Sequence, residues 1–354
     1  MGRGAARLPW LEEPLARVLG LSAQGRGHHA LLVHGPAGVG QLAFALELAR
    51  AWLCEAPRPQ ACGACRGCHL VAERSHPDLR VIVPEALRGE AGLAEEAAAG
   101  EDGSGGAGKK TRKPSRAILI EQIRTALEFS NLTAARGAHK VVIVHPAEAL
   151  NAVAANALLK TLEEPPGAMR FVLTSGDAQA LLPTVRSRCQ GVALGAPERG
   201  QALEWLRGQA VAEPETVLDA CGGEPLRALE LARAGLDGPA WRALPQWMAR
   251  GDSAAVAGWP LGVLLDALHK LCHDHALAAL GVPGRYFAEL GQPACGVGLA
   301  GLTQTAAWLR AQARHVEHPW SAALATEALV QGLRARLYPP AHSPEPIANP
   351  SVRP

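Results

Sequence analysis

Short apolar runs alternate with longer amphipathic segments over the first half of the chain. The apolar runs are five or six residues long and rich in β-branched residues, as buried strands are, and they span residues 30–34, 79–84, 140–144 and 170–175. Segments with helical spacing of their apolar residues lie between and around them, at residues 8–21, 41–54, 118–129 and 151–164. This alternation predicts an α/β fold with a parallel sheet that is covered by helices on both faces.

The strand pattern ends near residue 197, and the remainder of the chain predicts helices alone. These helical segments span residues 199–211, 215–221, 226–234, 241–250, 261–280, 303–316 and 320–338. We therefore expect an α/β domain at residues 1–195, followed by a helical region at 196–338. The Pro-rich tail at 339–354 is expected to be flexible.

Residues 85–116 differ from their surroundings because Gly, Ala, Glu and Lys dominate there. The stretch GEDGSGGAGKKTRKP has no apolar face to bury, so the sequence predicts a disordered surface insertion at residues 85–116. Its basic run at residues 109–113 is more typical of a solvated charge cluster than of a phosphate-binding site.

The overall charge of the chain is close to balanced. Its 354 residues include 35 basic and 33 acidic ones, which argues against binding of nucleic acid through overall charge. No apolar run approaches the roughly 18 to 20 residues that span a bilayer, and Glu12, Glu13 and Pro14 interrupt the region where a signal peptide is apolar. We expect a cytoplasmic protein without membrane association, whose eight cysteines indicate metal ligands or buried thiols rather than disulfides.

Four of the cysteines form a compact pattern, C-x7-C-x2-C-x2-C, within residues 54–69. The two-residue gaps let successive thiolates converge on one ion, and the longer gap lets a thiolate from the preceding helix complete a tetrahedron. Four soft donors with no open coordination position predict a structural zinc rather than a catalytic one. The predicted ligands of this zinc knuckle are Cys54, Cys62, Cys65 and Cys68.

Other interpretations of the cluster remain open at this point: four reduced, partly buried thiols, a redox pair, or an iron–sulfur cluster. Zinc is favoured because thiolates crowded into one loop without a metal repel each other and oxidise. His69 is expected to neighbour the metal rather than bind it. The remaining cysteines are scattered and are expected to serve packing or to lie at the surface; they are Cys189, Cys221, Cys272 and Cys295.

A glycine-rich turn connects the first predicted strand to the helix that follows it. Its sequence GPAGVG, in which Gly35 and Gly40 are the pattern glycines, satisfies the first six positions of the P-loop G-x-x-x-x-G-K-[ST]. Gln41 and Leu42 then replace the lysine that contacts phosphate and the hydroxyl that holds magnesium. We therefore expect that ATP does not bind productively, and that only the backbone amides and the helix N-terminus remain as a weak anion site.

The acidic residues of an ATP-hydrolysing site are replaced as well. The predicted strand at residues 140–144 is followed by His145 and Pro146, where a P-loop ATPase of this kind carries an acidic pair, and Glu148 lies two residues too far along. Because the lysine, the hydroxyl and the acidic pair are all replaced, the sequence predicts a chain that does not hydrolyse nucleotide.

Three motifs in the middle of the chain resemble a known family. ANALLKTLEEPP at residues 155–166, a strand ending in Thr174, and LLPTVRSRC at 181–189 resemble the clamp-loader branch of the AAA+ proteins. With the four-cysteine insertion after the P-loop helix, the chain is similar to subunits of the bacterial DNA polymerase III clamp loader. The missing lysine favours the delta-prime type over the gamma/tau motor subunits, and the resemblance extends over about residues 8–235.

This resemblance implies an AAA+ core at residues 1–195, a lid domain at 196–238 and a collar, or oligomerisation, domain at 239–338. It implies that Arg188 is an arginine finger, presented to the ATP of the next subunit in a ring, where a planar, permanently charged guanidinium stabilises the transferred phosphoryl group. On the residues alone, Arg186 and Arg188 equally fit structural salt bridges. Thr174 falls at the family's sensor position, and Arg227 falls near the sensor arginine of the lid, where we expect a packing or surface role.

Three functional hypotheses follow from these observations. The leading one is a non-hydrolysing stator subunit of a clamp loader, with gamma/tau and delta subunits as partners and with the sliding clamp and primed DNA reached through the complex. The alternative is a self-sufficient, gamma/tau-like AAA+ ATPase with a divergent P-loop, in which His145 or Glu148 replaces the acidic pair. A third hypothesis, a zinc ribbon that binds DNA alone, has only Arg58, Arg66 and Arg74 as nearby basic residues.

Overall fold

The computed structural model describes residues 8–56, 60–93, 114–137, 139–287, 290, 297–314 and 321–339. The chain forms two compact units, Met1–Gln201 and Ala202–Pro354. The first unit is an α/β layer structure and the second is helical in its described part. The three-domain division of the chain at residues 195 and 238 stays a prediction.

The first unit is built on a sheet of five parallel strands in the order β2-β3-β4-β1-β5. The strands are β1 (Ala30–His34), β2 (Leu79–Ile82), β3 (Lys140–Val144), β4 (Met169–Ser175) and β5 (Gln190–Ala193). In the register of the sheet, Val33 of β1 lies beside Thr174 of β4 on one side and Val192 of β5 on the other. The carboxyl ends of β1, β3 and β4 therefore meet at one edge, which is where a P-loop fold places its site.

Helices cover this sheet, as the alternating pattern predicts. They are α1 (Glu12–Ala23), α2 (Gln41–Trp52), α3 (Arg66–Ala72), α4 (Ile120–Asn131), α5 (Ala152–Glu163) and the single turn α6 (Pro183–Arg186). The core between α4, α5 and the sheet includes Ile123, Leu158, Leu162, Phe171 and Leu173, each at most 1% exposed. The prediction of an α/β fold with a parallel sheet is confirmed.

Three elements of this unit were not predicted from the sequence. β5 has one buried residue among four, Val192, so it shows neither an apolar run nor alternation. The helix α3 lies inside the cysteine segment, where Cys65 caps it by accepting the Cys68 N–H. The turn α6 has Pro183 at its first position and is too short for helical periodicity.

The segment predicted as an insertion at residues 85–116 is described at its two ends only. Glu85–Leu87 forms a 3₁₀ turn, and the Ala86 N–H donates to the Ser115 carbonyl at 3.0 Å. The Ser115 N–H in turn donates to the Glu85 carboxylate at 2.9 Å. These bonds bring the two ends of the segment together, while residues 94–113, including the basic run, lie outside the described residues.

The second unit contains the helices after the sheet. They are α7 (Arg199–Gly208), whose first three residues are the last of the first unit, α8 (Pro214–Ala220), α9 (Pro225–Arg233), α10 (Gly238–Arg250), α11 (Leu261–Ala279), α12 (Leu299–Ala313) and α13 (Ala322–Leu337). In the described part of the chain, no helix combines the length and apolar character that a membrane span needs. The tail from residue 340 onward and Cys295 lie outside the described residues.

Cys272 and Asp274 are buried within this helical unit, and the packing role expected for Cys272 is confirmed. Cys272 is 2% exposed and its thiol lies 3.5 Å from the Leu302 carbonyl oxygen. The fully buried Asp274 carboxylate accepts the N–H groups of Tyr286 and Phe287, at 2.6 and 2.8 Å. This carboxylate therefore fixes the segment that follows α11.

Candidate functional site

The glycine-rich turn has the shape of a P-loop. It connects β1 to α2, and Gly38 and Gly40 adopt φ angles of +72° and +99°, which favour glycine. Gly35 is required for another reason: a Cβ at this position would lie 2.2 Å from the carbonyl oxygen of Leu194, just after β5. The glycines predicted from the motif therefore shape the turn and let it pass against the edge of the sheet.

The side chain of Gln41 folds back onto this loop. Its Nε2 lies 2.7 Å from the carbonyl oxygens of both Gly35 and Pro36, and the residue is 8% exposed. An amide nitrogen has two hydrogens, so these two bonds use its full donor capacity. The Gln41 side chain therefore stabilises the loop from within and has no N–H left for a phosphate.

The loop is also held from outside. The indole N–H of Trp10 donates to the carbonyl oxygen of Val39 at 2.8 Å, and the Val39 side chain is fully buried. Leu42, at the position of the magnesium-binding hydroxyl, has no oxygen to offer. The role of Trp10 could not be predicted from the sequence, because nothing in the motif marks a residue 29 positions away.

At the ends of β3 and β4, His145 contacts Thr174. The His145 Nδ1 and the Thr174 Oγ1 are 2.7 Å apart, and the threonine hydroxyl also lies 3.3 Å from the Val144 carbonyl oxygen. If the hydroxyl donates to this carbonyl, it accepts from a protonated Nδ1. Burial lowers the pKa of His145 below its ordinary value, so this side chain is neutral at pH 7 and places no negative charge at the strand end.

The carboxylate of Glu148 forms a hydrogen bond with the backbone and does not project from the end of a strand. Its carboxylate accepts the N–H of Gly176 at 2.9 Å and so links the segments that follow β3 and β4. The structure thus places the residues considered for an acidic pair in hydrogen bonds within the fold.

The four predicted metal ligands come together. The sulfur atoms of Cys54, Cys62, Cys65 and Cys68 all lie within 4.8 Å of one another. Two of the pairs, Cys54 with Cys65 and Cys62 with Cys68, are 3.9 Å apart. Two thiolates on a tetrahedral zinc are about 3.8 Å apart for Zn–S bonds of about 2.3 Å, so the cluster fits one metal ion.

The backbone around the cluster favours negative charge on sulfur. The N–H groups of Cys62, Cys65 and Cys68 point at the sulfurs of Cys54, Cys62 and Cys65, at 3.3 to 3.4 Å. Backbone hydrogen bonds from Ala64 and Cys65 lower the pKa of Cys62 to about 6, whereas burial raises that of Cys68 to about 12. N–H groups aimed at thiolates are the surroundings expected of a thiolate metal centre.

An ion pair connects the cluster to the rest of the unit. The Glu55 N–H donates to the Cys65 sulfur at 3.5 Å, and the Glu55 carboxylate lies 3.1 Å from the Arg136 guanidinium. The N–H of Arg136 donates to the buried Asp78 carboxylate at 2.8 Å. These residues could not be predicted from the sequence, since they are far apart in the chain and form no motif.

Arg188 lies after α6 and is held by contacts to α5 and α6. Its Nε donates to the Glu163 carboxylate at 2.6 Å, its Nη2 forms an ion pair with the same oxygen, and its Nη1 donates to the Thr184 carbonyl at 2.8 Å. Its side chain remains 30% exposed. Arg186 behaves differently, because its guanidinium contacts the Gln179 side chain.

Arg227, near the position of a lid sensor arginine, pairs with Glu230 on the same helix at 3.3 Å. Both side chains are exposed, 38% and 66%. This placement confirms the surface role expected for Arg227.

Comparison with known proteins identifies a family match over the first unit. A family model described as "DNA polymerase III, delta subunit" matches residues 12–198. The delta-prime subunit of DNA polymerase III from Pseudomonas aeruginosa is 38% identical over 233 residues, which cover 64% of this chain and 62% of that protein. The delta-prime subunit from Escherichia coli K12 is 32% identical over 278 residues, 77% of this chain and 72% of that protein.

Solved structures were compared as well. A gamma-subunit-related protein of DNA polymerase III from Thermotoga maritima has a TM-score of 0.44 and 17% sequence identity, with coverage of 92% of this chain and 98% of that one. Among the delta-prime relatives, the chain spans under two thirds of the length of the Pseudomonas protein and almost three quarters of the length of the Escherichia coli protein.

Proposed function

This chain belongs to the family of DNA polymerase III delta-prime subunits, and we propose that it is the non-hydrolysing stator of a clamp loader. In this role it contributes a rigid AAA+ body to a ring and donates Arg188 to the ATP of a neighbouring subunit. The P-loop shape of the turn then serves the fold rather than nucleotide chemistry.

The observation that carries the non-hydrolysing part is the position of the Gln41 side chain. Its amide uses both hydrogens on the Gly35 and Pro36 carbonyls, where a P-loop lysine would extend a charged donor to the phosphates. Leu42 has no oxygen for magnesium, and the His145 imidazole is neutral and bonded to Thr174. The site therefore lacks the positive charge, the metal ligand and the acidic residue that nucleotide hydrolysis requires.

Support for the arginine in trans comes from the surface position of Arg188. Its guanidinium is partly exposed, and the ion pair with Glu163 holds it on the outside of the unit rather than in the core. An arginine supplied in trans contributes roughly 10³ to 10⁵ in rate in other phosphoryl-transfer systems. In this assembly, Arg188 would stabilise the charge that grows on the γ-phosphate bound by the next subunit.

For the cysteine cluster we infer a structural zinc held by Cys54, Cys62, Cys65 and Cys68. Four thiol donors without a water position fit zinc in a structural role. Bound there, the ion would cross-link the segment after α2 to α3 and stabilise a region that has few apolar residues.

The proposed partners are the gamma/tau and delta subunits, and through them the sliding clamp and primed DNA. The family membership supports this assembly, and Arg188 acts only when a nucleotide-binding neighbour is present. The alternative, a self-sufficient ATPase, requires that His145 or Glu148 orients water and magnesium. The hydrogen bonds of His145 to Thr174 and of Glu148 to Gly176 argue against this alternative.

The test is equilibrium binding of ATP to the isolated chain with and without Mg²⁺, followed by reconstitution. The proposal expects no magnesium-dependent affinity and no hydrolysis by the chain alone, but a loss of DNA-stimulated ATPase and clamp loading when the chain is omitted from the complex. Magnesium-dependent turnover by the isolated chain would favour the self-sufficient ATPase instead.

A further inference from the structure

The carboxylate of Glu163 is the main partner of the Arg188 guanidinium. Oε1 of Glu163 accepts from Nε at 2.6 Å and pairs with Nη2, so both contacts lie on the lateral edge of the guanidinium. Nη1 donates to the Thr184 carbonyl at 2.8 Å and lies 3.5 Å from the Ser187 hydroxyl. These contacts fix the plane of the guanidinium as well as its position.

Both supports of this arrangement rest on the core of the first unit. Glu163 is the last residue of α5, and Leu158 and Leu162 of that helix are fully buried. Thr184 lies in α6, beside Val185, which is 1% exposed and belongs to the same core cluster. The partners of Arg188 are therefore held by packed elements although they lie at the surface themselves.

The contacts leave part of the guanidinium available. Arginine has five N–H groups, and within the described residues the second hydrogen of Nη2 has no acceptor. This hydrogen lies away from the edge that Glu163 occupies. An exposed arginine without such supports would have to give up most of its rotamer freedom when it meets a phosphate.

We propose that Glu163 is a positioning residue for Arg188 and orients its guanidinium toward the nucleotide of the neighbouring subunit. This inference rests on the proposed role of Arg188 in trans and adds the residue that organises it. Glu163 makes no contact with nucleotide in this account and acts through Arg188 alone. Its carboxylate lowers the freedom of the side chain but does not occupy the whole guanidinium.

The experiment uses the reconstituted clamp loader and measures DNA-stimulated ATP hydrolysis at the neighbouring site. Glu163→Ala is expected to lower the rate constant by about 3- to 10-fold, with little change in KM, because a freed arginine samples more rotamers. Glu163→Gln keeps an oxygen that accepts from Nε and is expected to recover most of the rate. Glu164→Ala is the matched control, since Glu164 follows directly in the sequence and makes no described contact with Arg188.

A double-variant comparison distinguishes positioning from a structural role. If Glu163 acts through Arg188, Glu163→Ala has no further effect on the rate once Arg188→Ala is present. Assembly of each complex is verified by size-exclusion chromatography, so that a folding defect is seen directly. If the Glu163→Ala chain does not assemble, Glu163→Ser, which also lacks the carboxylate, takes its place in the same comparison, and the same non-additivity with Arg188→Ala is expected.

The outcomes separate the two claims. If Arg188→Ala leaves the rate unchanged, the proposed function fails. If Arg188→Ala lowers the rate but Glu163→Ala leaves it unchanged or raises it, only the positioning role of Glu163 is overturned. Additive losses in the double variant would likewise assign Glu163 a role that is independent of Arg188.

Discussion

The amide nitrogen of Gln41 lies 2.7 Å from the carbonyl oxygen of Gly35, at the opposite end of the same loop. A second bond of equal length reaches Pro36, so one neutral side chain holds together a turn of the kind that surrounds phosphate in P-loop ATPases. The residue at the lysine position has thus become part of the loop's internal structure.

Removal of this side chain is expected to weaken the fold. Gln41→Ala would remove two part-buried hydrogen bonds to loop carbonyls, and we expect a loss of about 1–3 kcal/mol in the free energy of unfolding. Denaturant unfolding with Gln304→Ala as control measures it, because Gln304 is exposed on α12. Equal stabilities of the two variants would contradict the structural role of Gln41.

A second prediction concerns the close approach of the loop to the end of β5. Gly35→Ala places a Cβ 2.2 Å from the Leu194 carbonyl oxygen, so backbone must move, and we expect a loss of at least about 1 kcal/mol in stability. Gly195→Ala is the control, since a Cβ there meets nothing within 4 Å. Thermal unfolding of both variants checks this, and a Gly35→Ala chain as stable as the Gly195→Ala chain would refute it.

For the cysteine cluster, we expect about one zinc ion per chain in protein purified without added metal. Cys65→Ser should abolish stoichiometric binding and destabilise the knuckle, because metal binding and local folding are coupled. Cys189→Ser removes a thiol outside the cluster and should leave the metal content unchanged. Elemental analysis measures the number of zinc ions per chain, and a value near zero in the reduced wild-type chain would contradict the proposed zinc site.

The His145 contact makes a prediction about pH. Burial lowers the pKa of His145 in the folded chain, whereas the unfolded chain has the ordinary value of about 6.5. As the pH falls below about 6.5, the unfolded state binds a proton that the folded state does not, so stability is lost. Above a pH of about 6.5, the full contribution of neutral His145 to the free energy of unfolding is present.

His145→Gln removes this titration, so the difference in stability between wild type and variant should shrink or reverse as the pH falls from 7.5 to about 5.5. Other histidines with lowered pKa values, such as His76 and His275, act equally in both chains. Denaturant unfolding across this range measures the difference. Parallel stability curves would show that His145 does not titrate as described.

Much of the first unit could be predicted because its signals are local. Short apolar runs mark β1, β3 and β4, and the cysteine spacing indicated a cluster that the fold assembles. β5 could not be found, since a strand with only Val192 buried has no apolar pattern. Its place next to β1 depends on pairing with residues about 160 positions earlier.

For the P-loop site, the sequence showed which residue types are replaced, but not which contacts the replacing residues make. The motif showed that Gln41 lacks the charge of lysine, but not that its amide would bond two loop carbonyls. Similarly, both Glu163 and Arg188 lie in motifs of the sequence, yet 25 residues separate them and only the packing of α5 on α6 brings them together. Contacts of this kind depend on tertiary structure and leave no periodic signal in the chain.

The central claim is that this chain hydrolyses no ATP itself and completes the site of a neighbour through Arg188. It is tested most directly in a reconstituted clamp loader whose other ATP sites are inactivated, so that all measured ATP hydrolysis takes place at the neighbouring site. The account predicts that Arg188→Ala lowers single-turnover hydrolysis there by about 10³-fold, the lower end of the range for an arginine in trans. An assembly that carries Arg186→Ala should hydrolyse ATP as the wild-type assembly does, because the Arg186 guanidinium contacts Gln179. Equal rates for the Arg188→Ala and wild-type assemblies would contradict the account.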